Sequence, residues 1–591
     1  MYILDKIKKN IAKAVIQALK KKLVKAADLV YPPNPEFGDI SLPCFNLAKE
    51  LKKTAVETAE FLVGKVSADN IIAVKAIGPF LNFTFNKARL APVVIEEILK
   101  QKEKYGLNKN GKNKIIMVEF AHPNTHKAFH IGHLRNILTG EAVARILQAN
   151  GYKIIRANYQ GDIGLHIAKC LWGVSQLKKE YQAVKSEPIK ARAEFLGQAY
   201  ALGSKNYEAN AEVKQEIIEL NKKIYNQDKA VMPIYKITRK WSLDYFAAIY
   251  KKLNTKFDRL YFESEVFKSG REIVLKNLKT GIFKMSQGAV IFEGGQYGLH
   301  SRVFINSEGN PTYEAKDMGL AELQFKEFRP NKILHVVGPE QAEYFKVIIK
   351  ALEIVRPKTK GREAHLRYGW VRLKEGKMSS RLGNVVLGEW LLDQAKKEVL
   401  EIMKGARGPA RPAGGPACRT GRLKNKLEVA EKVSLAAVKY SILKNGLDKD
   451  IIFDLKESVS FNGLSGPYLQ YTVARIQSIM RKSQITNPKS QTNPKSQIPN
   501  YKLDDTKEQA IILRLAKYPE AVEAAGRNYD PSEIAKYLFE LAQEFNNYYH
   551  SAPILKAKTD VRRARLLLIS AVKQTLENGL KLLGIETVEK M

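Results

Sequence analysis

The chain is poor in cysteine, in acidic side chains and in long apolar runs. Its cysteines, Cys44, Cys170 and Cys418, stand far apart and form no C-x-x-C pair. That spacing argues against disulfides and structural zinc, so we expect a reducing, cytoplasmic environment. No segment approaches about eighteen uncharged apolar residues, so we expect no membrane-spanning helix. The basic start, residues 1–23, lacks the pattern of a cleaved signal, and we expect it to form an ordinary first helix.

The shortage of acidic side chains leaves a large positive charge. The chain carries 98 Lys and Arg against 61 Asp and Glu, a net charge of +37. One explanation is a lysine-rich surface that only keeps the protein in solution. The other is a polyanionic partner, because a broad basic surface gains free energy from counterion release. Basic residues occur in every third of the chain, which favours a folded RNA that extends over several domains.

With 591 residues the chain is too long for one hydrophobic core. We expect an α+β domain at 1–108, an α/β domain at 109–400 with a helical insertion at about 175–255, a low-complexity linker at 401–426, and a helical domain at 427–591. Two biased segments, 405–422 and 486–497, are predicted to be disordered insertions, the second within an irregular region at about 483–500. They are either inert surface loops or, for the arginine-rich first segment, a contact with RNA.

A βαβ unit is predicted directly after residue 114. Residues 115–120, IIMVEF, form a short apolar run typical of a buried parallel strand, and YKIIRANY at 152–159 forms another. Between them, apolar residues recur every three or four positions from Ile131 to Ile146, which predicts a helix that Asn150 and Gly151 end. Ligands of α/β domains bind at the carboxyl edge of such a sheet.

Histidine is also scarce, yet four of the nine histidines lie between residues 119 and 140, in EFAHPNTHKAFHIGHLRNILTG. His130 and His133 flank Gly132 where the first strand meets the helix. A zinc site would need further ligands at matching spacing, which this segment lacks. Acid–base catalysis needs a moving proton, and a buried structural histidine would explain only one of the four. A cradle for nucleotide phosphates accounts for histidines, lysine and helix N-terminus together, and no metal site is predicted.

A second segment, EGKMSSRLGN at 375–384, is a basic loop rich in hydrogen-bond donors. Its lysine, serines and arginine suit a pyrophosphate group. Either segment alone would be a weak signal. Together, 247 residues apart on a chain with an α/β core and a basic surface, they indicate a nucleotide-binding enzyme.

The two segments resemble the signature motifs of class I aminoacyl-tRNA synthetases, and the chain as a whole resembles the arginyl-tRNA synthetase family. The resemblance extends over VEFAHPNTHKAFHIGHLRN, NYQGDIGLHIA, PTYEAKDMGLA and MSSRLGNVVL, and over GPYLQYTVARIQSI, FNNYYH and GLKLLGI near the end. It implies a tRNA-elbow-contacting N-terminal domain, a Rossmann-type class I catalytic core, and an all-α anticodon-binding domain. It also implies ATP-dependent ligation of L-arginine to tRNA(Arg) through an arginyl-adenylate, with Mg²⁺ accompanying the ATP.

The resemblance also implies two sets of site residues. The catalytic and ATP-binding set is Lys127, His130, Gly132, His133, Lys377, Met378, Ser379, Ser380 and Arg381. The arginine-binding set is Glu119, Asn124, Tyr313, Asp317 and Gln341. Asn310 and Pro311 favour a helix start, which would put Tyr313 and Asp317 on one face four residues apart. Two carboxylates suit a guanidinium, which a buried site must neutralise.

Some residues depart from the family pattern. Ser380 stands where class I enzymes often have a second lysine, and the resemblance implies that Lys127 compensates. Leu382, His122 and His166 replace other common residues. The rival hypotheses are another class I synthetase, such as the cysteine enzyme, which would need zinc-binding cysteines, and a non-catalytic RNA-binding relative, which would have lost one of the motifs. We expect a monomer.

Overall fold

The computed structural model describes residues 1–374, 381–382, 385–405, 416–486 and 503–590, with side chains described over 1–374, 387–405, 425–483 and 503–590. The helices are α1 (Ile3–Leu19), α2 (Phe45–Leu51), α3 (Ala55–Leu62), α4 (Lys87–Gln101), α5 (Ile131–Ala149), α6 (Leu165–Gln176), α7 (Lys178–Val184), α8 (Ile189–Ala209), α9 (Ala211–Tyr225), α10 (Met232–Lys252), α11 (Glu263–Leu278), α12 (Tyr313–Phe328), α13 (Ala342–Val355), α14 (Gly388–Gly405), α15 (Pro416–Leu443), α16 (Leu455–Ser458), α17 (Gly466–Thr486), α18 (Thr506–Asn528), α19 (Ser532–Ser551) and α20 (Thr559–Leu582). The strands are β1 (Ile40–Pro43), β2 (Ile71–Ile77), β3 (Phe80–Phe85), β4 (Ile115–Glu119), β5 (Lys153–Gln160), β6 (Arg259–Phe262), β7 (Lys284–Ser286), β8 (Ala289–Phe292), β9 (Arg302–Ile305), β10 (Lys332–Val337), β11 (Glu363–Arg367), β12 (Val371–Leu373), β13 (Arg381–Leu382), β14 (Val385–Val386) and β15 (Ile451–Phe453).

The N-terminal residues form an antiparallel sheet in the order β1-β3-β2, with helices around it. The alternation in 80–86 predicts strand β3, and the structure confirms it, with Leu81, Phe83 and Phe85 buried. Segment 31–43 is rich in turn residues, which predicts a connection between elements, yet it contains β1. Its strand pairs Ile40 with Phe83 across the sheet, so tertiary pairing decides the conformation of this proline-rich segment.

The α/β domain is built on a five-stranded parallel sheet in the order β11-β10-β4-β5-β6. The predicted β4-α5-β5 unit is confirmed, and α5 ends at Asn150 before Gly151, whose φ is +86°. We expected one apolar face on α5, but nearly the whole helix is buried, between the sheet and the C-terminal helices. From β4 the chain adds β5 and then β6 on one side, and it then returns to add β10 on the other side of β4. The order in which strands are added therefore reverses between β4 and β10, although all five strands are parallel.

The strands predicted between 285 and 375 belong to different sheets. β10 and β11 extend the parallel sheet, whereas β7, β8 and β9 form a separate antiparallel sheet. β12 pairs in parallel with β15, which comes from the C-terminal part of the chain. Short apolar runs therefore predicted the strands correctly but not the sheet that each joins, because strand pairing is set by long-range contacts.

The C-terminal helices share a core with the N-terminal domain, so these two parts of the chain are packed together. Tyr105 stacks on Tyr518 with ring centroids 5.9 Å apart, and its hydroxyl donates to the Leu515 carbonyl at 2.9 Å. Helices α15, α17, α18, α19 and α20, together with helices α1 and α4, contribute to this single apolar cluster.

The linker region is partly helical. We expected irregular chain over 405–422, but the described backbone is helical up to Gly405 and again from Pro416, where proline suits the first position of a helix. Residues 406–415 and 487–502 lie outside the described residues, and the latter include most of the predicted insertion at 486–497. The start of the region predicted to be disordered, at about 483–500, is helical, because α17 continues to Thr486. In the described part of the chain, no helix is both long enough and apolar enough to cross a membrane.

Candidate active site

The predicted site residues that the structure describes gather at the carboxyl edge of the parallel sheet. Glu119 is the last residue of β4, and the loop that follows carries Asn124 and Lys127 to the start of α5. Gln341 lies in a short 3₁₀ helix, Pro339–Gln341, directly after β10. Asp317 lies on α12. This edge is where the strand order reverses, which is the usual ligand position in an open α/β sheet.

His130 and His133 form a reciprocal cap at the N-terminus of α5. His130 Nδ1 accepts hydrogen bonds from the backbone N–H groups of Gly132 at 3.1 Å and of His133 at 3.4 Å. His133 Nδ1 in turn accepts from the backbone N–H of His130 at 3.2 Å, and the two rings stack with centroids 3.7 Å apart. Since both Nδ1 atoms accept, the proton of each neutral ring lies on Nε2.

Both imidazoles are neutral near pH 7. Burial and the nearby charge of Lys127 lower the pKa of His130 to about 4, and burial with the neighbouring His130 lowers the pKa of His133 well below its usual range. The pair therefore offers N–H donors rather than cations to a phosphate. A Cβ on Gly132 would lie 2.9 Å from the His130 ring, so this position needs glycine.

The remaining positive charge beside the histidines comes from Lys127. Its ammonium lies 5.3 Å from the ring centroid of Tyr200 on α8, one of the inserted helices. Helix α8 thus lies beside Lys127. With the α5 N-terminus, Lys127 gives this end of the site a positive character.

The chain after the second motif lies against the first. The Gly388 N–H donates to the Phe129 carbonyl at 3.0 Å, and His130 forms an antiparallel bridge with Leu387. Within the motif, Lys377, Met378, Ser379 and Ser380 lie outside the described residues; of Arg381 the structure describes the backbone, which pairs with Val386.

A buried charged cluster surrounds Glu119. Its Oε1 lies 3.0 Å from His335 Nδ1 on β10, and its Oε2 accepts from the Gln324 amide. His335 Nε2 lies 3.4 Å from Glu363 Oε2 on β11. Burial alone would lower the pKa of His335, but Glu119 and Glu363 raise it to about 10. His335 is thus an imidazolium that keeps Glu119 ionised in spite of its burial.

Asp317 is held differently from Glu119. The Tyr344 hydroxyl donates to Asp317 Oδ2 at 2.7 Å. Burial, with a smaller contribution from the charge of Glu119, raises the pKa of Asp317 to about 8, although the hydrogen bond from Tyr344 lowers it. The two carboxyl groups therefore lie close enough to influence each other, yet only Glu119 has a cationic partner.

The helix that carries Asp317 begins later than predicted. Thr312 is its N-cap and Tyr313 its first residue, whereas we expected Asn310 and Pro311 in those roles. Pro311 instead bridges Ile305 of β9, which holds the chain extended before the helix. Tyr313 and Asp317 still stand four residues apart, but Tyr313 is 57% exposed, at the mouth of the site.

Asn124 fits tightly against the end of β5. A Cβ on Gly161 would lie 2.1 Å from Asn124 Oδ1, so glycine is required there. The Thr125 N–H donates to the Gly161 carbonyl at 2.9 Å, which fixes the loop. Gln341 is exposed. Of the predicted arginine-binding residues, the structure thus places Glu119 and Asp317 within electrostatic reach of each other, and it leaves Tyr313 and Gln341 exposed.

Sequence reasoning missed His335, Gln324 and Tyr344, which are the direct partners of the predicted carboxylates. The signal for His335 was a lone histidine inside the apolar strand KILHVVG. The unexplained His122 is buried beside Glu119, and its Nε2 has no hydrogen-bond partner among the described residues. His126 is structural, since its ring nitrogens contact the hydroxyls of Thr125 and Thr238 at 3.0 and 2.8 Å.

Three family models match the chain. They are "tRNA synthetases class I (R), catalytic domain" over residues 94–455, "DALR anticodon binding domain" over 469–591, and "Arginyl tRNA synthetase N terminal domain" over 5–85. The first alone covers more than half of the chain. Together they follow the predicted order of N-terminal, catalytic and helical parts.

Individual proteins agree over nearly the full length. Arginine–tRNA ligase of Borrelia hermsii is 34% identical, covering 99% of this chain and 100% of its own, and that of Treponema denticola is 33% identical, covering 97% and 96%. The solved arginyl-tRNA synthetase of Thermus thermophilus superposes with a TM-score of 0.78 at 25% identity, covering 99% of this chain and 100% of its own. The catalytic-domain match and the full-length relatives together show that this chain belongs to the arginyl-tRNA synthetase family of class I aminoacyl-tRNA synthetases.

Proposed function

We propose that this protein ligates L-arginine to tRNA(Arg) with ATP, releasing AMP and pyrophosphate. The observation that carries the proposal is the pairing of two environments at one sheet edge: the buried carboxylates of Glu119 and Asp317, and the donor-rich N-terminus of α5. The first suits a guanidinium and the second suits phosphates. Membership of the family supports arginine, ATP and tRNA as the substrates.

In the first step the arginine carboxylate would attack the α-phosphorus of ATP in line, and the bond to pyrophosphate would break. Glu119 and Asp317 would hold the guanidinium, with Tyr313 and Gln341 at the mouth and Asn124 at the α-ammonium and carboxylate end. Since the reacting groups are brought together rather than protonated, catalysis would rest on positioning and on electrostatic stabilisation.

At the phosphate end, the Nε2–H groups of His130 and His133 and the ammonium of Lys127 would stabilise the charge that develops on the transferring group. Because Gly132 has no side chain, the transferring group would be able to approach the backbone closely at this position. Lys377, Met378, Ser379, Ser380 and Arg381 would close over the pyrophosphate. A hydroxyl of the terminal adenosine of the tRNA would then take the arginyl group and release AMP.

Mg²⁺ would enter with the nucleotide. The described residues at the phosphate end offer nitrogen donors and a lysine, whereas Mg²⁺ prefers oxygen ligands. Among the described residues, no cluster of three His, Cys, Asp or Glu side chains is arranged to hold a metal. The donor set therefore fits an ion that the triphosphate oxygens coordinate, and it does not fit a separate protein cage for Mg²⁺.

The outer domains would bind the tRNA. We assign the elbow to the N-terminal domain, and the anticodon to the C-terminal helices, in keeping with the family model matched there. The net charge of +37 favours such an extended contact. We also propose a cytoplasmic monomer, which the lone cysteines suit; sedimentation of the purified chain tests the oligomeric state.

The test is ATP-dependent charging of a tRNA pool with each of the twenty labelled amino acids. We expect charging with arginine alone. Robust charging with another amino acid would identify a different class I synthetase. Absence of all charging, with tRNA binding retained, would identify a non-catalytic RNA-binding relative.

A further inference from the structure

Tyr159 is a partly buried tyrosine at the carboxyl end of β5, two residues before Gly161. It pairs across the sheet with Tyr261 of β6. Its ring packs on the apolar cluster between the sheet and helices α11 and α12, which includes Val266 and Leu320. The ring is therefore firmly placed, on the sheet face that α12 covers.

The Tyr159 hydroxyl is shielded from solvent, and it has no hydrogen-bond partner among the described residues. Burial raises its pKa well above the usual value, and so do the charges of Glu263, Asp317, Glu119 and Asp162. The hydroxyl is therefore neutral and lies among carboxyl groups of the arginine pocket. An unsatisfied buried hydroxyl destabilises the fold, so its retention calls for a partner that arrives from outside.

The neighbouring carboxyl groups already have partners. Asp162 accepts from Arg239 Nε at 2.9 Å and from the Ser264 hydroxyl at 2.7 Å. Glu263 pairs with Lys316 Nζ at 2.6 Å, and the partners of Glu119 and Asp317 are the histidine and tyrosine described above. None of these groups forms a hydrogen bond with the Tyr159 hydroxyl. A ligand that enters this acidic environment is a cation with N–H donors, and a phenol oxygen accepts from such a donor.

We propose that Tyr159 is a further arginine-contacting residue, whose hydroxyl oxygen accepts a hydrogen bond from a guanidinium nitrogen beside Glu119 and Asp317. This inference rests on the proposed function, which assigns the guanidinium to these two carboxyl groups. A guanidinium has five N–H donors in one plane, and two carboxylates leave some of them without an acceptor. The phenol oxygen supplies a further acceptor. A neutral acceptor does so without adding another negative charge to the pocket.

The Tyr159→Phe substitution tests this role, because it removes one oxygen and keeps the ring packing. Without ligand we expect an unchanged or higher Tm, since the variant loses an unpartnered buried hydroxyl. The rise in Tm on adding arginine is expected to shrink, and the KM for arginine to increase by about tenfold, the loss of one hydrogen bond to a charged group. The kcat, the KM for ATP and the Kd for tRNA are expected to stay the same.

Tyr261→Phe is the matched control, because Tyr261 is the cross-strand neighbour and its hydroxyl donates to Glu327 at 2.8 Å. Here we expect a lower Tm without ligand and an unchanged KM for arginine. A Tyr159→Phe variant with a lower ligand-free Tm and intact arginine affinity would show a purely structural hydroxyl and overturn the inference. Failure of the unmodified enzyme to bind arginine would instead overturn the proposed function of the pocket.

Discussion

The two ends of the proposed site bind groups of opposite charge, a guanidinium and a phosphate, and they use different kinds of side chain to do so. The arginine end contains buried ionisable groups, with Glu119 held between His335 and Gln324 before any substrate arrives. The phosphate end contains two neutral imidazoles that cap a helix and one lysine. A guanidinium is always charged and needs fixed carboxylates, whereas a transferring phosphoryl group needs donors that meet charge as it develops.

This difference predicts which kinetic constant each end of the proposed site controls. Groups that contact the guanidinium bind it equally well before and during the reaction, so losing them should raise the KM for arginine. Donors to the phosphate act on charge that develops in the transition state, so losing them should lower kcat. Substitutions at each end should therefore affect different kinetic constants.

The largest effect is expected for Asp317→Asn. The amide keeps the shape and leaves Tyr344 a partner, but it removes the charge that pairs with the guanidinium. Losing one member of a desolvated charge pair costs about 4 kcal/mol, so the KM for arginine should rise by about 1,000-fold. Arginine binding is measured by calorimetry and tRNA binding by filter retention, with Asp244→Asn, a partly exposed carboxylate, as the control. Equal losses in arginine and tRNA affinity would contradict the pocket assignment.

The next effect is expected for His130→Asn. Asparagine is a good N-cap, so α5 should keep its start and the Tm should change little. The Nε2–H donor is lost, and the rate of adenylate formation should fall by about 100-fold with an unchanged KM for arginine. Pyrophosphate exchange measures this step, and the exposed His300→Asn is the control. A raised KM for arginine with an unchanged rate of adenylate formation would place His130 at the arginine end of the site and contradict this assignment.

Sequence patterns predicted the fold better than they predicted the site. The βαβ unit and the helical C-terminal domain were predictable because strand and helix periods are local, and the structure confirms both. The partners of the carboxylates were not, because they are more than 200 residues from Glu119 in the sequence: strand pairing brings His335 to it, and the packing of helix α12 brings Gln324. The antiparallel β7-β8-β9 sheet was missed for the same reason. The residue roles at the site stay predictions until variants test them.

A smaller effect is expected for His335→Gln, which removes the positive charge of the buried imidazolium and keeps a hydrogen-bond donor. The amide can still donate to Glu119, but the carboxyl loses its cationic partner, so the KM for arginine should rise by about tenfold. His365→Gln is the control, because His365 lies on the adjacent strand and also packs against Phe345. If both variants bind arginine normally, His335 serves only to stabilise the fold.

The smallest effect is expected from pH, and it distinguishes the two ends without a substitution. The pKa of Asp317 is raised to about 8, so below that value the group is mostly protonated, and a guanidinium must displace its proton in order to bind. Arginine affinity should therefore weaken as the pH falls, by about fivefold between pH 8 and pH 7, with about half a proton released on binding at pH 8 and about one at pH 7.

The phosphate end should not follow the same course. With the pKa of His130 lowered to about 4, both histidines stay neutral throughout this range, and ATP affinity should be nearly constant. Calorimetry of arginine binding in buffers of different ionisation enthalpy counts the released protons, and Asp317→Asn should abolish the release. The other groups near Asp317 include Tyr344, Tyr159, Glu119, Glu263 and His335, whose pKa of about 10 keeps it charged here. Proton release that persists in Asp317→Asn would therefore assign the titration to one of these neighbours and remove the proposed asymmetry between the two carboxyl groups.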